Sequence, residues 1–323
     1  MQSSREDIRF GTGQTFRLLR WSRSVTGVEE VLAPSRTVRV QGHGDHWHYH
    51  RQTELTLIQH GAGTRFVADH IELFEPGDIV LIGANVPHYW HLRGASAGLS
   101  LQWDFPLEHA IWGFGEAAPL QVLAETARRG LHLRGATAAA TRQRMETLAE
   151  LTGLARLAAF IDLLAGLAAA PACEVCALSA EAFSLSGTAE HQEAVRRAVS
   201  FVFANYREPV RLAELLHLSG MSRATFARQF RRHAGKSFST FLNQVRLQAV
   251  CRALRDTPDP VSSIALSHGF NQLSFFNRLF RREFGLSPTA YRAARPAARP
   301  VTGASRRPTT ATSPPSKNRS RRR

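Results

Sequence analysis

The chain has 323 residues, 43% of them apolar, and a formal net charge of +15. That length allows two ordinary domains with sizeable cores, and the composition excludes a fibrous or low-complexity chain. The opening Met1-Gln2-Ser3-Ser4-Arg5-Glu6-Asp7 lacks the basic-then-apolar order of a secretion signal. The most apolar stretch, around 151–170, is interrupted by Arg156 and Asp162, short of the roughly 20 residues of a membrane span. A cytoplasmic chain with no membrane partner is expected.

Charge divides the chain. Residues 1–188 carry a net −3, residues 189–295 a net +10 and residues 296–323 a net +8. A field that attracts phosphate therefore belongs to the C-terminal part alone.

Residues 1–112 read as short strands. Glu54–Gln59, Thr64–Val67 and Asp78–Ile82 are rich in β-formers, and Gly61, Gly63, Pro76-Gly77 and Gly83 punctuate them. Even spacing of such strands predicts a small barrel or jelly roll. Residues 113–170 form a helical extension. Leu148, Leu151, Leu154, Leu157-Ala158, Ile161 and Leu164-Ala165 keep a stripe at helical spacing, which suits either packing on the barrel or pairing with a second subunit. Residues 171–188 are small, with Pro171, Ser and Gly, and read as an interdomain linker. Three cysteines suit a reducing compartment. Cys173-x-x-Cys176 has no second pair to complete a cysteine-only zinc site, so it reads as two free thiols or as a redox or metal pair.

Residues 189–295 are helical and contain one pattern twice. Residues 222–235 and 272–285 align Phe226 on Phe276, Arg228 on Arg278, Phe230 on Phe280, Arg231-Arg232 on Arg281-Arg282 and Gly235 on Gly285. Each copy follows a short apolar helix and a tight turn, which is the order of a helix-turn-helix unit. If the phenylalanines one turn apart face the core, Ala224, Ala227, Arg228 and Arg231 face out in the first copy. Ser274, Asn277, Arg278 and Arg281 do so in the second. Small residues permit close approach to the major groove, Arg reads guanine and Asn reads adenine. Arg223 precedes the first face and joins the candidate DNA-binding set. Between the copies, Phe238 to about Asp256 predicts one helix with Phe241, Leu242, Val245 and Ala249 inward, stopped by Pro258 and Pro260. The last residues, 296–323, are Pro-, Ser-, Thr- and Arg-rich and are expected to be a disordered basic tail.

This C-terminal stretch resembles the AraC/XylS family of bacterial transcription regulators. The likeness is carried by Gly220-Met221-Ser222, Val245-Arg246-Leu247-Gln248-Ala249, Ile264-Ala265-x3-Gly269-Phe270, Phe275-Phe276-Asn277-Arg278-x-Phe280-Arg281 and Gly285-Leu286-Ser287-Pro288-x2-Tyr291-Arg292. It covers roughly 190–293. It implies that Ala224, Ala227, Arg228, Ser274, Asn277 and Arg278 sit where family members touch bases. It also implies double-stranded DNA and RNA polymerase as partners, homodimers joined through the N-terminal half, and activation more often than repression. Leu216 departs from the small residue usual at that place.

The N-terminal half reads Gly42-x5-His48-x-His50-x3-Glu54-x6-Gly61 and then Gly77-x5-Gly83-x4-His88, which is similar to the paired signature of the cupin barrel. Gly83 and Asn85 stand where that signature has Pro and Gly. The resemblance implies that His48, His50, Glu54 and His88 converge inside the barrel. His48 and His50, two apart on an extended strand, point to one face. Imidazole and carboxylate together suit one divalent transition metal. The same residues suit a metal-free pocket for a small-molecule effector, and the cofactor is left open. His46 with His48 is a second His-x-His, and Trp47, Tyr49, Tyr89 and Trp90 are expected to give the pocket aromatic walls.

The fold class expected is α+β in two domains: an N-terminal cupin-like β-barrel with accessory helices and a C-terminal all-α domain with two helix-turn-helix units. The function expected is an effector-responsive DNA-binding regulator, not an enzyme. The alternative is a metal-dependent cupin enzyme tethered to DNA. No nucleophile elbow, phosphate loop or dinucleotide fingerprint supports other catalysis.

Overall fold

A computed structural model describes residues 5–42, 44, 46–92, 94–183 and 189–294. The expected basic tail at 296–323 and the end of the expected linker, 184–188, lie outside the described residues. In chain order the N-terminal part runs β1 (Phe16–Trp21), β2 (Gly27–Ala33), β3 (Arg36–Gln41), β4 (Thr53–His60), β5 (Gly63–Val67), β6 (His70–Phe74), β7 (Ile79–Ile82), β8 (His88–Leu92) and β9 (Ala97–Trp103). It continues with α1 (Ala118–Ala127), β10 (Leu131–Leu133), α2 (Gly135–Ala149), α3 (Gly153–Ala168) and β11 (Val175–Ala177). The C-terminal part is helical: α4 (Ala189–Asn205), α5 (Leu212–Ser219), α6 (Arg223–Ala234), α7 (Phe238–Asp256), α8 (Val261–Ser267), α9 (Leu273–Phe284) and α10 (Pro288–Ala294). The chain is thus α+β, with a β-rich N-terminal and a helical C-terminal region.

The strands form two antiparallel sheets. One has the order β11-β10-β7-β4-β9-β1-β2-β3, the other β6-β5-β8. They face each other without closing into one continuous ladder, so the expected barrel takes the form of two open sheets among the described residues. Alternation explains their nearly unbroken apolar sequences. Leu55 and Leu57 of β4, Ile79 and Leu81 of β7 and Leu99 and Leu101 of β9 pack with Phe160, Leu163, Leu164 and Leu167 of α3. Their neighbours Ile58, Val80 and Ile82 turn the other way, towards Val67, Phe74 and Trp90 of the small sheet.

Two features differ from the sequence reading. The apolar stripe at 148–165 is not one helical face, because the chain breaks between α2 and α3. Phe160, Leu163, Leu164 and Leu167 are the buried face of α3, whereas Leu154 is 79% exposed and Ile161 48%. The range expected to be only a linker also supplies β11, which pairs with β10 through Leu131↔Ala177 and Leu133↔Val175. A three-residue strand is too short to show a period.

In the helical region, Ser222 accepts from the Thr225 amide and Ser237 from the Thr240 amide, capping α6 and α7. α6 and α9 both end on a glycine in the left-handed region, Gly235 at φ +68° and Gly285 at +69°. A side chain is strained there, which is why both copies place glycine at the same register. Helices α4 to α7 enclose Phe226, Phe230, Phe241 and Val245, and α7 to α10 enclose Phe270, Phe276 and Phe280. The two regions share a core: Trp47, Phe66, Ile71 and Tyr89 of the β region pack into the first of these clusters. Gln248 on α7 also donates to the carbonyl of Ile71 on β6 at 2.9 Å.

Candidate DNA-binding surface and histidine site

The helix-turn-helix units are α5–α6 and α8–α9, joined by α7. Phe226 and Phe230 on α6 and Phe276 and Phe280 on α9 are buried. Arg223, Ala224, Ala227, Arg228 and Arg231 on α6, and Ser274, Asn277, Arg278 and Arg281 on α9, are all exposed. Every residue of the sequence-derived set thus lies on the outer side of its helix, leaving a face of arginine, asparagine and small residues. Arg278 lies over the Phe275 ring at 5.8 Å, which restrains its side chain. The spacer α7 has 19 residues, about 28 Å of rigid helix.

The second site lies between the sheets. His48 and His88 form an isolated antiparallel bridge, and their neighbours continue it: the Asn85 amide donates to His50 O and the Trp90 amide to Gly44 O. The segment 46–50 thereby lies along β8. His48, His50 and His88 are buried, and one ring nitrogen of each lies within 4.8 Å of the others. Glu54 enters from β4, with Oε2 3.2 Å from His50 Nε2 and Oε1 3.9 Å from His88 Nε2. The four residues named from sequence are therefore brought together, and His46 is not part of the converging group.

Several residues of this site carry no motif. Arg17, Gln102 and Glu54 sit side by side across β1, β9 and β4. Arg17 donates to Gln102 Oε1 at 2.7 Å, and Gln102 donates to Glu54 Oε2 at 2.6 Å. Glu6, from the N-terminal segment, places Oε2 3.6 Å from His48 Nε2. Thr56, two residues after Glu54 on the same strand face, donates to Glu54 Oε1 at 2.5 Å, and strand period alone reveals it. Gln102 and Glu6 meet the site only through long-range pairing, which a local spacing does not encode.

The aromatic walls are also redistributed. Trp90 lines the inter-sheet cavity with Trp21, Val25, Val28 and Ile58. Trp47 and Tyr89 instead belong to the cluster shared with the helices, and the Tyr49 hydroxyl donates to Gln192 on α4. The cause is strand alternation. With His48, His50 and His88 inward, their immediate neighbours point outward.

The electrostatics of the cluster are set by its hydrogen bonds. The Nδ1 atoms of His48, His50 and His88 face the carbonyls of His46, Gln52 and Val86 at 2.9, 3.0 and 2.9 Å. A carbonyl only accepts, so each Nδ1 carries a proton; His88 Nε2 then faces the centre as an acceptor, while His50 Nε2 is paired with Glu54 Oε2 at 3.2 Å. Burial, reinforced by the neighbouring histidines, holds His48 well below its usual range and His88 at about 4. Burial alone would raise Glu54. Its hydrogen bonds and the facing imidazoles outweigh that and keep it well below the ordinary carboxylate range. His88 Nε2 makes no hydrogen bond, nor do Trp90 Nε1 and Ser100 Oγ beside it. The His88 lone pair and the Glu54 carboxylate thus face each other with no donor between them. This donor set fits a divalent transition metal, with backbone carbonyls orienting the rings from behind. The adjoining cavity is about 60 Å³, room for a few waters.

Cys173, Cys176 and Cys251 form no disulfide among the described residues, and Cys176 pairs opposite His132 in the β10–β11 ladder. No helix among the described residues is long and apolar enough to cross a membrane.

Residues 215–294 match a family model described as a helix-turn-helix domain. The transcriptional regulator MtrA of Neisseria gonorrhoeae is 38% identical over 79 residues, 24% of this chain and 26% of MtrA. The transcriptional activator RhaS of Escherichia fergusonii is 32% identical over 113 residues, 35% of this chain and 41% of RhaS. The regulatory protein SoxS of Salmonella typhimurium is 28% identical over 102 residues, 32% of this chain and 95% of SoxS. The chain thus spans about a quarter of MtrA and two-fifths of RhaS, all within a limited part of its own length.

Proposed function

Because residues 215–294 are an AraC-type helix-turn-helix domain, we propose that the chain is a sequence-specific regulator of transcription that answers to an effector held between its sheets. The observation that carries the DNA reading is the pair of exposed faces on α6 and α9, matched in register and held apart by one rigid helix. A spacer of about 28 Å sets two recognition helices near the roughly 34 Å of one DNA turn, so both enter successive major grooves on one side of the duplex. In this reading Arg223, Arg228, Arg231, Arg278 and Arg281 meet phosphate or guanine, Asn277 meets adenine, and Ala224, Ala227 and Ser274 allow close approach. The name of the transcriptional activator RhaS favours activation of transcription over catalysis, and RNA polymerase in the cytoplasm is the partner this reading implies. The full chain offered a pool of random duplexes should enrich one sequence with two half-sites about one turn apart. Enrichment of no sequence would contradict this reading.

The effector we assign to the cupin-like β region is a divalent transition metal ion held by His48, His50, Glu54 and His88. His88 Nε2 carries that reading: buried, without a hydrogen bond and 3.9 Å from Glu54 Oε1, its lone pair beside a carboxylate is stable around a cation. The small cavity favours it too, being well under the roughly 300 Å³ of an organic-ligand pocket. The ion would supply charge neutralisation and would fix the two sheets relative to each other. Elemental analysis of the purified chain beside a His48→Ala/His50→Ala variant tests it. Absence of metal from both points to a small organic effector instead.

A homodimer is the assembly this reading favours. Ile161 of α3 lines an apolar groove with Ile111, Phe114 and Leu120, and Leu154 and Leu157 are exposed on the same helix, an apolar surface suited to a second copy.

A further inference from the structure

The segments that carry the histidine cluster present the opposite face to the DNA-binding helices. On 46–50, His48 and His50 point between the sheets while Trp47 and Tyr49 point out. On β8, His88 and Trp90 point in while Tyr89 and His91 point out. His48 and His88 are locked backbone to backbone, with the His48 amide donating to His88 O at 3.2 Å and the reverse bond at 2.9 Å. A shift of either histidine therefore moves a residue on the far side.

That far side is a continuous set of ring contacts. Trp47 meets Phe241 of α7 edge-on at 6.3 Å, and Tyr89 meets Phe203 of α4 at 4.9 Å. Phe66 of β5 contacts Phe203 at 4.4 Å and Tyr89 at 5.4 Å. Phe241 in turn lies 5.5 Å from Phe230, on the inward side of the recognition helix α6. Polar contacts flank the rings: the Tyr49 hydroxyl to Gln192, Gln248 to Ile71 O, Arg252 to Thr64 and Arg255 to Glu75. Close-packed rings do not absorb a small displacement locally; they pass it on or lose contact.

We propose that Trp47, Tyr49 and Tyr89 form a transmission surface, through which a change at the histidine cluster alters how firmly α4 and α7, and through them α6, are held. The proposal rests on the reading that the cluster binds a metal ion, and concerns what that occupancy does. An ion drawing His48, His50 and His88 together tightens the 46–50 and β8 pairing, which seats Trp47 and Tyr89 against Phe241 and Phe203. Linkage then requires the converse: DNA that favours the seated helices tightens the ion.

Hydrogen exchange on the full chain tests this, with zinc chloride as the probe and bound zinc measured by elemental analysis. Zinc should slow amide exchange by roughly fivefold or more, at β8 and also across residues 198–203 of α4 and 241–252 of α7. In a Trp47→Leu/Tyr89→Leu variant, the β8 protection should remain and the helical protection should vanish. Phe203→Leu, which severs the same contact from the helical side, serves as a second variant if the first does not fold by circular dichroism. An equal helical response in these variants, or a wild-type response confined to β8, overturns the proposal. If zinc does not bind the wild type, the metal reading fails by itself, and His88→Ala decides the transmission. Faster exchange in α4 and α7 of that variant upholds it, and a change limited to the strands refutes it.

Discussion

His48 and His88 exchange both backbone hydrogen bonds across a single antiparallel bridge, with ring centroids 4.2 Å apart and Nδ1 of each tied to a carbonyl two residues earlier. Rings fixed from behind in this way are pre-organised for a cation, because little rotamer entropy remains to be lost on binding. Binding to the folded chain alone raises stability by mass action. At a free metal concentration 100 times the dissociation constant the gain is about 2.7 kcal/mol. Thermal melts with zinc and with a chelator should therefore separate by several degrees for the wild type and coincide for His48→Ala/His88→Ala. A zinc-dependent shift that survives in the double variant would place the ion elsewhere.

His233 lies on the inward side of α6, 2% exposed, with neither ring nitrogen hydrogen-bonded. Burial, with Arg232 and His191 nearby, lowers its pKa to about 4. An unfolded histidine titrates near 6.5. Between those values the unfolded state binds more protons. Stability is therefore whole above about 6.5 and is lost as pH falls towards 4, by about 2–3 kcal/mol for this one group. His233→Leu removes both the titration and the unsatisfied nitrogens. Its urea midpoint should exceed that of the wild type at pH 5, by more than at pH 7.5. Parallel stability curves across that range would exclude His233 as the source of acid lability.

The helical half was more legible than the β half, for physical reasons. A helix writes its own boundaries: Ser237 and Pro258 bracket α7, and its inward Phe241, Leu242, Val245 and Ala249 follow from period alone. The matched phenylalanines likewise fixed which sides of α6 and α9 face out. The likeness to the cupin signature named the four residues that lie together here, while strand spacing alone put only His48 and His50 on one face. Gln102, Glu6 and Arg17 reach the same site through pairings 48, 42 and 85 residues apart in sequence, a separation no local pattern records. Trp47, Tyr49 and Tyr89, expected as walls of the cavity, face the helices instead, as strand parity counted from the histidines requires. The stripe at 148–165 shows the converse limit: periodicity identified apolar residues on α3, but not that Leu154 and Ile161 would be the ones left in water.

That exposed stripe makes a prediction about assembly. Burying Leu154, Leu157 and Ile161 against a second copy gains about 25 cal/mol for each Å² of apolar surface removed from water. Ile161→Glu would place a charge in the middle of that contact, at a side chain 48% exposed in one chain and so harmless to its own fold. Sedimentation should show the wild type self-associating at micromolar concentration and the variant as a single chain with unchanged circular dichroism. A monomeric wild type would remove α3 as a dimer face.

Arg278 distinguishes specific from merely electrostatic binding. It projects from the outer side of α9, steadied by Phe275, next to Asn277 and one turn from Ser274. A guanidinium in that position can read guanine with two parallel hydrogen bonds, which an ammonium cannot reproduce. Arg278→Ala should cost about 1–3 kcal/mol on the selected duplex and relax preference at one base position. Arg278→Lys keeps the charge, so it should retain the salt dependence while losing most of the discrimination. Arg282, on the same helix but outside the aligned outer face, should weaken all duplexes about equally when replaced by alanine. Fluorescence anisotropy with the selected and a scrambled duplex at two salt concentrations separates these cases. Equal losses on both duplexes for Arg278→Ala would mean that α9 touches only the phosphates, and that base reading falls to α6.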